Sequence, residues 1–214
     1  MNYPLLAVTV DLVLMSVVDD RLCALLQRRG AEPFTGHLAL PGGFVGEHEG
    51  LEQAARRILT DKAGFAAGEG GWLEQLYTFG DPGRDPRMRT VSVAYFALLT
   101  HAQLAQAVGL RDDLMLVPVG ALPEALAFDH AAILALAHDR LRGKLDYAPV
   151  AFALLPDLFT LRDLQRVHEA ITGNSFSKPA FRRRMLDTGW IEPTGERETQ
   201  TAFRPAELYQ RKHE

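Results

Sequence analysis

The chain opens on an apolar run, residues 5–18, rich in Val and Leu, and such a run predicts a buried strand. A turn at Asp19 and Asp20 leads to a second short strand, 22–27. A third extended piece, 37–40, runs into a turn at Pro41-Gly42-Gly43. Leu51, Ala54, Ala55, Ile58 and Leu59 then recur at helical spacing, so 50–62 reads as a helix stopped by Gly64. Residues 72–79 and 91–99 carry strand patterns on either side of a polar loop, GDPGRDPRMRT. Residues 129–142 predict a helix with Asp129 as its N-cap and Ile133, Leu134, Leu136, Ala137 and Leu141 turned inward.

The pattern changes near 146–152, which divides the chain into a first unit, 1–148, and a second, 149–214. Thr160 opens a helix with Leu161, Leu164, Val167 and Ile171 on one face. Thr160 and Asp163 have the spacing of a capping box, with Asp in place of the usual Glu or Gln. Gly173 ends this helix, and Ser177 caps a second one with Pro179 in its first turn. Phe181 and Met185 share one side of that helix. Arg183 points away from them, with Arg182 and Arg184 at its flanks and Lys178 in the first turn. Two extended segments about a charged turn follow Gly189. Helix, turn, helix and two-stranded ribbon make the outline of a winged helix. An apolar back and a basic front suit a recognition helix in a major groove. Arg197 and Arg204 fall in the wing, within reach of the DNA backbone or minor groove. The alternative is a basic solvated helix in a structural appendage.

Charge sharpens this division. The 214 residues carry a net charge of −4, which by itself gives no sign of nucleic acid. Residues 1–151 hold 13 Lys and Arg against 18 Asp and Glu, whereas residues 152–214 hold 10 against 9. The basic residues of the second part are clustered, and clustering points to nucleic acid. A hydrophobic fraction of 47% suffices for a core. The lone cysteine, Cys23, excludes an intrachain disulfide and fits a reducing, cytoplasmic setting. The first apolar run contains Asp11 and lacks a basic leader, so neither a signal peptide nor a membrane span is expected.

The segment GGFVGEHEGLEQAARRILTDKAGF, residues 42–65, resembles the Nudix box. Gly43, Glu49, Arg57, Leu59 and Gly64 stand in register with it, Phe65 replaces its last aliphatic residue, and the preceding LPGGF is also typical. The resemblance implies an α/β/α sandwich with a mixed sheet, here followed by a small winged helix. The box expects Glu at three positions where this chain has Ile58, Asp61 and Lys62. In active members those carboxylates hold magnesium, an ion that demands several hard oxygen ligands in near-octahedral geometry. Ile58 offers none, Lys62 brings a cation, and Glu47 and Glu49 in the loop do not rebuild the cluster. No metal, no required cofactor and no metal-assisted hydrolysis are therefore expected. Glu49 and Arg57 also fit an ion pair that pins loop to helix.

The loop and strand FGDPGRDPRMRTVSVAY, residues 79–95, resemble those of ADP-ribose-type Nudix proteins and their regulator relatives. Arg84 and Arg87, with Arg28 and Arg29 after the second strand, are candidate forks for a diphosphate. The alternative is a solvated loop whose arginines pair with Asp81 and Asp85. Gly42 and Gly43 form a turn that also lets a backbone approach a phosphate. Phe44 could stack on a base or pack in the core. Glu47, Asp129 and His130 complete the candidate ligand site, although Asp129 is most often just a cap and His130 more often a helix N-terminal residue than a catalyst. FTLRDLQRVHEAITG, FRRRMLDTGWIEPTG and RPAELYQ resemble the C-terminal domain of the Nudix-related regulators called NrtR. That resemblance implies a homodimeric repressor on a palindromic operator in double-stranded DNA, commonly at NAD-synthesis genes. Its effector would be ADP-ribose or a related nucleotide or sugar metabolite. A Nudix hydrolase of ADP-ribose using Glu47, Glu49, Glu52 and Asp61 is the alternative, and a protein-binding module without either activity a third.

Overall fold

The first apolar run forms β1 (Ala7–Val18), the central member of a seven-stranded mixed sheet. A computed structural model describes residues 5–64, 71–199 and 205–212. Side chains alternate across β1 as a period of two requires: Val10, Leu12 and Leu14 face one layer, Val13 and Met15 the other. Asp19 and Asp20 both have positive φ, the conformation that a two-residue hairpin turn demands, and return the chain as β2 (Arg21–Arg28). β3 (Leu38–Ala39) pairs beyond β2, and β4 (Gly42–Phe44) pairs with β1. β5 (Trp72–Phe79) lies antiparallel to β6 (Thr90–Leu98), which runs parallel to β1 from Ala7–Thr90 to Met15–Leu98. The order is β3-β2-β1-β6-β5, with β7 (Leu114–Pro118) on the far part of β2.

Helices cover both faces. α1 (Leu51–Ala63) and α2 (His101–Leu110) bury Ala54, Ala55, Ile58, Leu59, Leu104 and Ala107 against the Val10–Leu12–Leu14 face. α3 (His130–Lys144) sets Ile133, Leu134, Ala137 and Leu141 against the opposite one. The α/β/α sandwich with a mixed sheet is thus formed. Three details correct the sequence reading. Gly42 and Gly43 belong to a strand rather than a turn, because their backbone pairs with Asp11 and Val10. α2 and β7 were not anticipated. α2 buries only Leu104 and Ala107, and β7 is five residues long, so neither shows a strong period.

After a 3₁₀ turn at Val150–Leu154 come α4 (Leu161–Thr172), α5 (Lys178–Asp187), β8 (Ile191–Arg197) and β9 (Glu207–Arg211), the last two paired antiparallel. The capping box closes: the Asp163 backbone N–H donates to Thr160 Oγ1 at 3.1 Å, and the Thr160 N–H donates to Asp163 Oδ2 at 3.0 Å. Gly173, at φ 73, ends α4 in the left-handed conformation. Ser177 stands at the N-cap of α5, but its side chain makes no capping hydrogen bond. A single apolar cluster runs from Val13 and Phe96 through α3 to Phe159, Leu164, Phe181 and Met185.

Candidate functional site

A charged residue in a buried strand must find partners, and Asp11 of β1 does so at the floor of a cavity of about 340 Å³. Asp11 is 6% exposed. Its Oδ2 accepts from Ser92 Oγ at 2.6 Å and from Arg84 Nη2 at 3.1 Å. Arg84, equally buried, also donates from Nε and Nη2 to the two oxygens of Asp129, at 2.9 and 2.7 Å. Burial works against the Arg84 charge, but the hydrogen bonds to Asp129 and the attraction of Asp11 outweigh it and raise its pKa. The Arg84 guanidinium is therefore a bridge between two carboxylates, not a fork open to a diphosphate, and among the described residues it pairs with neither the Asp81 nor the Asp85 carboxylate. Asp129 is correspondingly no side-chain cap: it stands at the N-cap of α3, but its carboxylate is turned to Arg84.

His130 closes the floor. Its Nδ1 accepts from the Leu40 backbone N–H at 2.8 Å, and its Nε2 lies 3.6 Å from Asp11 Oδ1. Burial pushes its pKa down, so the ring is a neutral strut between the start of α3 and the end of β3. Gly42 is required beside it. A Cβ there would stand 2.4 Å from Asp11 Oδ1 and 2.9 Å from the Val10 carbonyl, whereas one on Gly43 would meet only Ile58 at ordinary contact distance.

Aromatic rings and arginines make the walls. Arg87 pairs with Asp85 through Nε and Nη2, at 3.0 and 2.7 Å, and its guanidinium lies 5.9 Å from the Phe44 ring and 5.8 Å from the Phe128 ring. Arg29 sits 4.7 Å over Phe128, with Nε donating to the Pro33 carbonyl. Burial and the neighbouring Arg87 lower the Arg29 pKa. Phe34 meets Phe128 edge-on at 4.9 Å, and both have positive φ, a strained conformation for bulky residues. Arg28 does not line the cavity. It is exposed, and its Nη1 donates to the Gly36 carbonyl, since successive residues at the end of a strand point to opposite sides. Glu47 is also exposed and outside the lining.

The box helix carries a different chemistry from the metal-binding pattern. Ile58 is 2% exposed and packed among Val10, Leu12 and Ala55. Glu49 accepts from Arg57 Nε at 2.9 Å and from the Gly46 N–H at 2.7 Å, and Arg57 also donates to the Phe44 carbonyl. The Arg57 hydrogen bond holds the Glu49 pKa at about 2. Glu52 is paired with Arg56, and Asp61 is exposed beside Arg57. Lys62 lines the cavity. Two carboxylates committed to arginines and one solvated Asp do not fit the oxygen shell of a magnesium ion. Among the described residues no three of His, Cys, Asp and Glu are grouped to hold a metal.

On α5, Phe181 and Met185 are buried, and Lys178, Arg182, Arg183 and Arg184 are exposed. Arg184 is not wholly free: its Nη2 donates to Asp146 Oδ1 at 2.8 Å. Arg197, exposed on β8, donates to the Pro205 carbonyl. Arg204 and Phe65 lie outside the described residues. Among the described residues no helix is long and apolar enough to cross a membrane. Sequence reasoning missed Asp11 and Phe128 as site residues. The signal for Asp11 was present, because a lone acid in an apolar strand is buried only with partners; Phe128 carried none.

The NUDIX domain model matches residues 6–137, and the NrtR DNA-binding winged helix domain model matches residues 151–210. The chain is 38% identical over 211 residues to the ADPR responsive transcriptional repressor NtrR of Acinetobacter baylyi, covering 97% of this chain and 83% of that protein. Its structure resembles Shewanella oneidensis NrtR complexed with a 27mer DNA, with a TM-score of 0.85 and 37% identity over 96% of this chain and 93% of that one. The NUDIX domain of the same Shewanella protein, complexed with ADP ribose, matches with a TM-score of 0.54 and 34% identity over 65% of this chain and 90% of that one. With both of its parts matched in order and relatives aligned over nearly its full length, the chain belongs to the NrtR family of Nudix proteins that carry a C-terminal winged helix.

Proposed function

We propose that this protein is a homodimeric transcriptional repressor that binds a palindromic operator and senses ADP-ribose, or a closely related nucleotide or sugar metabolite, without hydrolysing it. The observation that carries the reading is one chain joining a Nudix pocket whose box carboxylates are spent on arginines to a winged helix with a basic front. The relatives' properties agree with it: one is an ADPR responsive repressor, and another forms a complex with a 27mer DNA and, through its NUDIX domain, with ADP ribose. Residues 1–148 act as the sensing unit and 149–214 as the DNA-binding unit, working in the cytoplasm on genes of NAD metabolism.

In this reading Lys178, Arg182, Arg183 and Arg184 approach the major groove, with Arg197 at the backbone. Phosphate contacts set the position of α5, and base contacts set its specificity. The effector lies in the cavity above Asp11, with Arg87 and Arg29 at its charged groups, Gly42 and Gly43 along one side, and Phe44 and Phe128 against its flat ring. Arg84, Asp129 and His130 hold that floor rigid. Coupling follows if ADP-ribose binds one arrangement of the dimer better than the other.

The test is fluorescence anisotropy with a fragment of the protein's own promoter region, with and without ADP-ribose, in magnesium, alongside an assay for AMP release. Specific binding that shifts with ADP-ribose, with the nucleotide left intact, is expected. No specific binding together with steady AMP release would move the protein to the hydrolases.

A further inference from the structure

Lys62 occupies a place in the box where the resemblance leads one to expect an acid, and it lines the cavity. The lining carries four cations, Arg29, Lys62, Arg84 and Arg87, against two carboxylates, Asp11 and Asp85, with Asp129 behind Arg84. Two of those cations are already engaged, Arg84 by Asp11 and Asp129 and Arg87 by Asp85. Among the described residues the Arg29 side chain donates only to backbone carbonyls, those of Pro33 and Ala31. Among the described residues neither Arg29 nor Lys62 forms an ion pair. The neighbouring acid, Asp61, pairs with Arg57 instead. Ile58, one turn before Lys62 on the same helix, is buried under Gly43 and offers no oxygen.

The cavity therefore lacks a site for a dication and presents fixed positive charge in its stead. A diphosphate diester carries two negative charges at neutral pH, and unpaired ammonium and guanidinium groups neutralise such a ligand by charge-assisted hydrogen bonds. We infer that Lys62, with Arg29, supplies from the protein the charge that a magnesium ion supplies in a metal-loaded Nudix pocket, so that the effector's diphosphate is bound without metal. The inference rests on the reading of the cavity as an ADP-ribose site. It predicts a ligand affinity indifferent to magnesium and a lysine whose charge matters more than its shape.

The experiment is isothermal titration calorimetry of the full-length protein with ADP-ribose, once in EDTA and once in magnesium chloride, on the parent chain, Lys62→Gln and Lys62→Arg. Lys62 sits in the last turn of α1, partly exposed, and both replacements are good helix formers, so circular dichroism should match the parent. The parent should bind equally in the two buffers. Lys62→Gln should bind about tenfold more weakly in both, the loss of one charge-assisted contact, and Lys62→Arg should recover most of the difference. Parent binding that vanishes in EDTA and returns with magnesium overturns the inference and leaves the effector reading intact. Lys62→Gln binding as tightly as the parent overturns the role of Lys62. No binding in either buffer overturns the ADP-ribose reading itself, and the inference with it.

Discussion

Replacing Arg84 by Met tests whether the cavity floor is held by a buried charge bridge. Met keeps much of the side-chain volume and removes the charge. The Arg84 side chain is 4% exposed and makes three hydrogen bonds, two to Asp129 and one to Asp11. Without it Asp11, whose side chain is 8% exposed, keeps the Ser92 hydroxyl and the more distant Nε2 of a neutral His130. Removing one partner of a buried ion pair costs about 3–5 kcal/mol, because the remaining charge is left uncompensated. For a chain of this size that corresponds to a fall in Tm of roughly 10 °C. Urea unfolding followed by circular dichroism at pH 7 measures the loss directly. A difference below about 1 kcal/mol would mean that the two carboxylates do not depend on Arg84, and the bridge would lose its structural meaning. The same replacement made on an Asp11→Asn background should cost at least about 1 kcal/mol less, since the amide leaves no stranded charge at position 11 and only Asp129 loses its partner.

Other consequences are quicker to check. Glu49 is held at about 2 by Arg57, below its ordinary 4.5, so the stability this pair contributes is complete above about 4.5 and is lost as pH falls towards about 2, where the carboxylate titrates. Carboxyl NMR should report that titration, and Arg57→Gln should return Glu49 towards its ordinary value; an unchanged Glu49 would show that Arg57 is not the cause. Gly42→Ala should destabilise by about 1–3 kcal/mol, because its Cβ has no room beside Asp11, whereas Gly43→Ala should stay within about 1 kcal/mol. Equal denaturant midpoints for the two variants would contradict the packing at Gly42. On the proposed function, Arg183→Ala should weaken operator binding about tenfold and leave ADP-ribose affinity unchanged. Anisotropy and calorimetry separate the two, and an unaltered operator affinity would remove α5 from the interface.

What was legible in the chain was local and periodic. β1 announced itself by an uninterrupted apolar run, α1 by apolar residues at helical spacing, and α4 by a capping box that closes as read. The two sides of α5 separated cleanly because Phe181 and Met185 lie four residues apart. What escaped was decided at a distance. The Asp129 carboxylate had two possible uses, capping its own helix or meeting an arginine 45 residues earlier, and only the folded chain places Arg84 within 2.7 Å of it. Arg28 and Arg29 differ by one residue of strand phase, which sends one to solvent and the other into the cavity. Two adjacent glycines resemble a turn until a strand is found beside them. Ile58 reads in the sequence as a missing ligand; in the fold it is a core residue on the buried face of α1.

The apolar cluster that joins α3 to α5 limits how α5 can move. Ile133 and Leu134, behind the cavity floor, belong to the same packed body as Phe181 and Met185 beneath the arginines. A domain hung on an open linker swings about a hinge, with large amplitude and little resistance. A helix seated on a shared core cannot, because swinging would strip apolar surface from both sides. The movements left to α5 are those of shear: displacements of an ångström or two, taken up by side chains sliding from one packing to another. In the proposed dimer on two half-sites the displacements of the two helices add, and the spacing of the two grips becomes the quantity that a small change at the cavity can alter.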